Sequence, residues 1–526
     1  MPEVVVLGKP QSADSSAGIP PHDSADDIVN IDRAACESAS EQEFGAIWQR
    51  WWVLSMVSAI AFLQSAAWNT LGPISPVAKL LFGLSDETLN HLVYYGPVGY
   101  LLAVVPFSWL LDNCGLRLST LIASGLISLS ALLRLVWTRP DFAFNHMGDL
   151  TVFLHMGQLT NALAGPFAMS AGPVVSARWF PPEERTIATA IATMASYAGP
   201  AAAFVTGPWL VSSPGSDISF DSALTERADL TFDATAIYNA IQSCMVYEVG
   251  MATSLLVASM CYFPNSPSVP PSRSACTERV NTWRGLRRLT ENLGFCICSF
   301  TFMMLYGFYG AWGSLLWPNL GNLVGAEDRI VRWYVIQDEA GWLAFWGACA
   351  GCAGGIGVSF IADRASNERL RGAKNITCNM FQICMSMQIA AGVLWIPMGL
   401  ISMRLMSSTN IMLYVSAMLS AFCLSSTTPL FYELALEASF PVGEGLTSCM
   451  LAVGNMFGCL LFRGLFLTLS TIPGLGTQWM NWGALATVFL AVDGMIAITC
   501  MWAYPETFTR LKVDLGLRHN SDMLMD

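Results

Sequence analysis

Charge is what this chain has least of: 12% of its 526 residues are Asp, Glu, Lys or Arg, where ordinary soluble domains carry about 25%. Histidine is nearly as scarce, at five residues. These absences exclude several chemistries. No G-x-x-x-x-G-K-[ST] loop is present to cradle a nucleotide phosphate, so ATP hydrolysis is not the energy source. No H-E-x-x-H pair or comparable ligand cluster stands out, so no metal site and no cofactor is expected. The 15 cysteines are scattered, mostly inside apolar stretches, and outline neither a disulfide framework nor a redox centre. No catalytic constellation emerges, so an enzyme is not expected. A net charge of −12 gives nucleic acid nothing to bind.

What is present is hydrophobic length. Twelve apolar runs lie at about 50–71, 88–111, 117–137, 149–177, 184–211, 236–262, 291–317, 338–361, 374–400, 408–432, 442–469 and 478–502, each long enough to cross a hydrocarbon core of about 30 Å as a helix. The first begins behind a long polar tail, which does not fit a cleaved signal peptide. The expected fold is an all-α membrane protein of 12 transmembrane helices in two bundles of six. Its parts are a disordered tail at 1–47, one bundle at 48–263, a basic linker at 264–290, a second bundle at 291–504 and a C-terminal tail at 505–526. If residue 1 is cytosolic, the loops on that side hold twelve basic residues against six opposite. The positive-inside rule then places both termini in the cytosol.

The excess acid sits outside the membrane. Residues 1–47 hold nine acids against Lys9 and Arg33, a net of −7, and 212–235 holds five acids against Arg227, a net of −4. These segments serve solubility, or the second gathers cationic solute at a pore mouth. Residues 264–275, rich in Pro and Ser, read as an extended linker. The stretch Glu278–Arg288 reads as a short basic helix.

Polar residues inside apolar helices are expensive and mark candidate sites. His155, Gln158 and Asn161 share one face of segment 4, and His155 titrates near neutrality. Glu248 lies mid-way along segment 6 and would bind and release a proton if desolvated, unless it forms a structural pair. Asp493 and Arg463 are further intramembrane charges. A loop occurs twice: Ser108-Trp-Leu-Leu-Asp112-Asn-Cys-Gly115-Leu-Arg117 after segment 2, and Ser359-Phe-Ile-Ala-Asp363-Arg364 after segment 8. An Asp at a helix end followed by basic residues reads as a latch between bundles, formed in one state and broken in another. Glu433, Glu437 and Glu444 are expected to pair with Arg364, Arg369 or Arg371.

The loop Asp112-x-x-Gly115-x-Arg117 resembles the signature of the major facilitator superfamily, with Ser108 replacing its first glycine. Trp68-Asn-Thr-Leu-Gly-Pro73, Tyr95-Gly-Pro-Val-Gly99, Gln158-Leu-Thr-Asn161-Ala-Leu-Ala-Gly-Pro166, Trp179-Phe-Pro-Pro-Glu-Glu-Arg185 and Phe440-Pro-Val-Gly-Glu444 resemble solute carrier family 49. The disrupted-in-renal-carcinoma protein 2 branch is the nearer one, and the feline leukaemia virus subgroup C receptor proteins are related. The resemblance implies a major facilitator fold and movement of an organic solute: pyridoxine with protons for the nearer branch, choline or haem for the other. It also implies that segments 1 and 7 face a central cavity.

The expectation that follows is a secondary transporter working by alternating access, coupled to protons and active as a monomer in the bilayer. Trp68, Asn69, Gln158, Asn161, Tyr197, Tyr309, Trp312 and Asn455 would meet a vitamin-like solute or an organic cation. His155 and Glu248 would carry protons, and Asp112, Arg117, Asp363 and Arg364 would gate. A haem or solute uniporter and a non-transporting receptor are the alternatives. The membrane is lysosomal or plasma.

Overall fold

An apolar run becomes a helix in a bilayer because each backbone N–H and C=O must find its partner within the segment. The computed structural model describes residues 48–138, 147–210, 231–307, 309–310, 331–370, 380–402, 410–470, 491–496 and 509–514. The expected tail at 1–47, the acidic loop up to residue 230, Trp312 and most of segment 12 lie outside the described residues.

The first half comprises α1 Gln49–Asn69, α2 Ser75–Phe82, α3 Asp86–Trp109, α4 Leu116–Trp137, α5 Met147–Leu163, α6 Gly165–Trp179, α7 Arg185–Leu210 and α8 Thr231–Cys261. The connecting stretch holds α9 Arg273–Cys276 and α10 Thr282–Glu291. The second half comprises α11 Leu293–Phe302, α12 Val331–Leu370, α13 Met380–Ser402, α14 Asn410–Ser439 and α15 Glu444–Ser470, and α16 Thr509–Asp514 follows near the C-terminus. No strand occurs among the described residues. There, nine helices are long and apolar enough to cross a membrane, or ten if α10 and the helix after it are one span bent by 82°.

Segment 4 differs from its expected single helix. It is two helices meeting at Ala164, because Pro166 cannot donate to the preceding turn but suits the first turn of a new one. The basic linker helix begins at 282 rather than 278. Asn281 caps it by accepting from Trp283 N–H at 3.1 Å. Both α3 and α11 run on into single π-helical turns, Leu110–Cys114 and Met303–Gly307, a geometry that often marks functional positions.

Within the first half α1 packs against α6 and α7, and α4 lies between α5 and α8. In the second half α14 packs against both α12 and α13. The halves meet where α15 lies against α3 and α6, and where α12 and α14 lie against α7. Lipid tails give apolar side chains no reason to leave them, so close approach of small residues does much of the work. A Cβ on Gly99 of α3 would stand 2.6 Å from Ala162 Cβ of α5, and one on Gly172 of α6 the same distance from Ala192 Cβ of α7. Outward-facing Leu102, Val105, Leu129, Val257, Phe360 and Val393 are all exposed, as an acyl-chain environment permits.

One polar tie crosses the first bundle. Arg134 of α4 is fully buried and donates to Glu248 of α8, and also to the Ala67 carbonyl of α1 at 2.6 Å. Gly157 on α5 leaves the space through which the arginine stem passes. A desolvated pair of this kind is weak evidence for stability when intact, yet removing one partner strands a charge at a cost of about 3–5 kcal/mol. Arg134→Met is therefore expected to lower the melting temperature of the detergent-purified protein sharply, and Arg134→Met with Glu248→Leu to restore most of it. Thermal unfolding of the three proteins, followed by tryptophan fluorescence, checks this.

Candidate functional site

Two carboxylates cross between the halves at the end that bears the linker. Asp112 sits in the π turn after α3, and its two oxygens accept from the N–H groups of Gly445 and Leu446, both at 2.8 Å. These are orphan donors of the first turn of α15, at the positive end of its dipole. Asp363, near the end of α12, accepts from the N–H groups of Thr186 at 3.2 Å and Ile187 at 2.8 Å, in the first turn of α7. Each half thus caps the other's helix by the same device. A Cβ on Gly443 or Gly445 would collide with the Asp112 carboxylate, so glycine there opens its seat. Gly115, at φ +91°, makes the turn that releases the chain into α4. Asn265 of the linker accepts from Arg117 N–H at 3.1 Å across that turn.

Arg117 and Arg364 follow the two aspartates in the repeated loop and are expected to gate with them. In the structure both arginine side chains are exposed, and the cation beside Asp112 is Arg178 of α6, at 3.2 Å. The acids of the second half also differ from expectation. Glu444 pairs with Arg279 of the linker and lies 3.6 Å from Arg178. Glu433 accepts from Ser176 at 3.1 Å and Thr189 at 2.9 Å, both on the first half, with Arg510 of α16 at 3.6 Å. Glu437 accepts from Leu511 N–H at 3.0 Å. Arg185 donates to Asp514 at 2.8 Å and to Ser272 and Ser274 at 2.6 and 3.0 Å. Linker, α16 and both bundles therefore share one polar seal. Burial pushes the Asp514 carboxyl up, but Arg185, Arg510 and the Ser274 N–H outweigh it and hold it below the ordinary carboxylate range.

Deeper in, α1 ends in a set of carbonyls held by side chains. Gln158 donates to Trp68 O at 3.0 Å, Asn161 to Gln64 O at 3.0 Å, and Gln64 back to Asn161 O at 3.2 Å. Asn69 donates to Ser65 O of its own helix at 3.3 Å. The half-buried Trp68 ring lies against Gly96 of α3, where a side chain would overlap it. Gln158 and Asn161 are thus brought to Trp68, with one amide hydrogen of each committed to α1 and the buried Asn161 Oδ1 left without a hydrogen-bond partner. His155 meets Tyr95 edge-on at 5.6 Å, and its Nδ1 has no partner. Tyr197 of α7 stacks on Tyr306 of the second π turn across the two halves, with ring centroids 6.4 Å apart and planes 19° apart. Tyr309 packs into the same cluster. Asn455 is buried on α15. Tyr306 itself donates to Leu424 O.

A profile of the Major Facilitator Superfamily matches residues 57–461. The chain is 33% identical to the solute carrier family 49 member 4 homolog of Xenopus tropicalis, over 89% of its length and 93% of that protein's. The chain belongs to this superfamily, in solute carrier family 49. It is a multi-pass membrane transporter, not an enzyme. It is also 24% identical to the human choline/ethanolamine transporter FLVCR2, over 85% of this chain and 78% of that one. Among solved structures, the Escherichia coli fucose:proton symporter FucP matches with a TM-score of 0.60 at 14% identity, covering 85% and 98%. The proton:xylose symporter XylE matches at 0.62 and 12%, covering 88% and 98%.

Several residues of this transporter's site escape a reading by sequence neighbourhood. Apart from Arg117 at its start, Arg134 is the charge in the apolar run of α4, and that isolation is itself the signal that finds it. Arg178, Arg185 and Arg510 meet acids that are distant in the chain. Cys349 and Cys352 stand about one turn apart on α12, both as free thiols. Among the described residues, no group of three or more His, Cys, Asp or Glu side chains could hold a metal.

A carboxylate at a helix N-terminus contributes about 0.3–1 kcal/mol when exposed and up to ~2 kcal/mol when partly buried. Replacing both Asp112 and Asp363 by Asn is expected to shift the population sealed at the linker end by a factor of about 5–30 for each 1–2 kcal/mol lost. Spin labels placed on the linker-end turns of the two halves read this as a longer distance component. The α16 contact has a pH signature. Asp514 is held below its ordinary value, so docking is stabilised above the unfolded value of about 3.9 and is lost as pH falls through the lower folded one. Glu437 also holds α16, and burial pushes it up to about 7. It takes a proton between about pH 7 and 5 and adds stability as it does. Protease nicking near α16 is therefore expected not to rise over that range and to rise only in stronger acid. Asp514→Asn is expected to nick rapidly throughout.

Proposed function

We propose that the chain is a secondary transporter working by alternating access, moving a small organic solute with protons. The mirrored carboxylate caps carry this reading. Asp112 on α15 and Asp363 on α7 fasten one end of the two halves with contacts weak enough to open. In this reading the protein has 12 transmembrane helices in two six-helix bundles, both termini and the linker are cytosolic, and the sealed end is the inner gate. Arg117, exposed beside the Asp112 cap, would meet a partner or a lipid phosphate when the gate opens.

The solute would sit between the halves, against Trp68, Tyr197, Tyr309, Trp312 and Asn455, with Asn69 at the rim. Gln158 and Asn161 would act by holding the end of α1 where Trp68 can reach it. A relative named for choline and ethanolamine favours a small organic cation, for which an aromatic wall offers about 0.5–2 kcal/mol per contact. A pyridoxine-like ring would stack on the same surfaces. His155, with an unpartnered Nδ1, is placed to accept a proton. Glu248 would have to release Arg134 to do so. If neither carries a proton, the protein is a uniporter with a structural ion pair. The membrane is lysosomal or plasma, and a monomer suffices.

Proteoliposomes loaded with choline, pyridoxine or haem, with and without an imposed pH gradient, test the proposal. Choline or pyridoxine is expected to move, and faster with the gradient. Trp68→Ala is expected to raise the half-saturating concentration roughly 2–30-fold, as loss of 0.5–2 kcal/mol implies. Absence of movement for all three solutes overturns the reading. Movement indifferent to the gradient leaves the uniporter.

A further inference from the structure

A second buried carboxylate lies far from the seal. Asp493, in the helical stretch 491–496, is 1% exposed, and Gln388 of α13, also 1% exposed, donates its amide hydrogen to Asp493 Oδ2. Both are covered by protein, not merely by lipid. The other two atoms of the pair, Asp493 Oδ1 and Gln388 Oε1, have no hydrogen-bond partner. Both are acceptors, and neither can satisfy the other while the carboxylate is ionised. Among the described residues no arginine, lysine or histidine forms an ion pair with Asp493. Among the described residues, Cys384, one turn earlier on α13 than Gln388, is a titratable group that faces it.

The first half provides the contrast. There the third segment, α4, and the sixth, α8, hold Arg134 against Glu248. In the second half α13 is the third segment and 478–502 the sixth, and the corresponding pair is Gln388 with Asp493. An internal cation neutralises one carboxylate, and an amide faces the other. A buried carboxylate without a cation usually neutralises by taking up a proton.

We propose that Asp493 and Gln388 form a proton-binding site. A proton from water bonds to Asp493 Oδ1, and that O–H then donates to Gln388 Oε1. The Gln388 N–H continues to donate to Oδ2. The product is a cyclic acid–amide pair with two parallel hydrogen bonds, and both orphaned oxygens acquire a partner. A sodium ion suits the place less well. Only three side-chain oxygens converge among the described residues, fewer than hard cations of this kind gather. As a coupling site in the second bundle, besides His155 and Glu248, this role rests on the proton-coupled reading above.

Infrared difference spectra of the purified full chain, taken between alkaline and acidic buffer, test the site without any solute. A carboxylic-acid C=O band is expected that vanishes in Asp493→Asn and shifts in Gln388→Ala. Choline and pyridoxine uptake provides the second readout. D493N keeps both hydrogen bonds and is expected to lose the stimulation of uptake by a pH gradient. If D493N does not fold, Asp493→Leu with Gln388→Leu, which removes both polar groups together, replaces it in both measurements. An unchanged band in the variant, a retained response to the gradient, or a band that appears only on removing sodium overturns the proposal. If the wild type moves neither solute, the transport reading falls, and the infrared titration still decides whether Asp493 takes the proton.

Discussion

The seal at the linker end depends on one constraint: the first turn of a helix has N–H groups with no partner of its own. In this fold α7 and α15 begin at the boundary between the halves, where those groups would otherwise face the opposite bundle unmet. Asp363 and Asp112 meet them from across the boundary. The other contacts at this end are built around these two caps. Arg178 neutralises Asp112 and reaches Glu444, the first residue of α15, and Arg279 brings the linker to the same acid. Glu433 lies between Ser176 and Thr189 of the first half and Arg510 of α16. Because the caps end on backbone N–H groups, they fix the register of the two helix starts and not merely the proximity of charges.

The end of α1 solves the complementary problem. The last turn of a helix leaves carbonyls without partners in the helix, and at the end of α1 Arg134, Asn161 and Gln158 supply donors to Ala67, Gln64 and Trp68. These side chains come from α4 and α5, so Trp68 is positioned by two neighbouring helices at once. Its ring then fills the space left by Gly96. The polar face of segment 4 is therefore first a set of braces. Beside these braces, His155 Nδ1 and Asn161 Oδ1 are buried without a hydrogen-bond partner.

Periodicity and run length made the membrane helices legible, because a bilayer imposes a minimum apolar length that few other settings demand. The repeated Asp loop was legible as well, since both copies follow the second apolar run of their half. The partners of those aspartates were not. Arg117 is near Asp112 in sequence, but the Gly115 turn lies between them and sends Arg117 to an exposed position. Arg178 is 66 residues away and reaches Asp112 only because α6 lies beside the end of α3. Glu433, Glu437 and Glu444 stood out as an acidic group without cations nearby. Their cations come from Arg510 on the C-terminal helix and Arg279 on the linker, segments whose docking has no local sequence signal. The break at Ala164 was announced by Gly165-Pro166, but length alone favoured one continuous segment.

The magnitudes also bear on how such a protein could cycle. Reversing a two-state equilibrium from 1:99 to 99:1 requires about 5.5 kcal/mol of differential binding. Two caps of up to ~2 kcal/mol each fall short of that sum, so the caps by themselves do not trap the protein. Aromatic contacts of about 0.5–2 kcal/mol each mean that three or four closing around a solute are of the same order. A seal built from deep salt bridges alone would not be matched in this way, since stranding one buried charge costs about 3–5 kcal/mol. In the proposed cycle, Asp112 and Asp363, which end on helix dipoles, lie between the parts that would separate, while Arg134 and Glu248 tie together a single bundle.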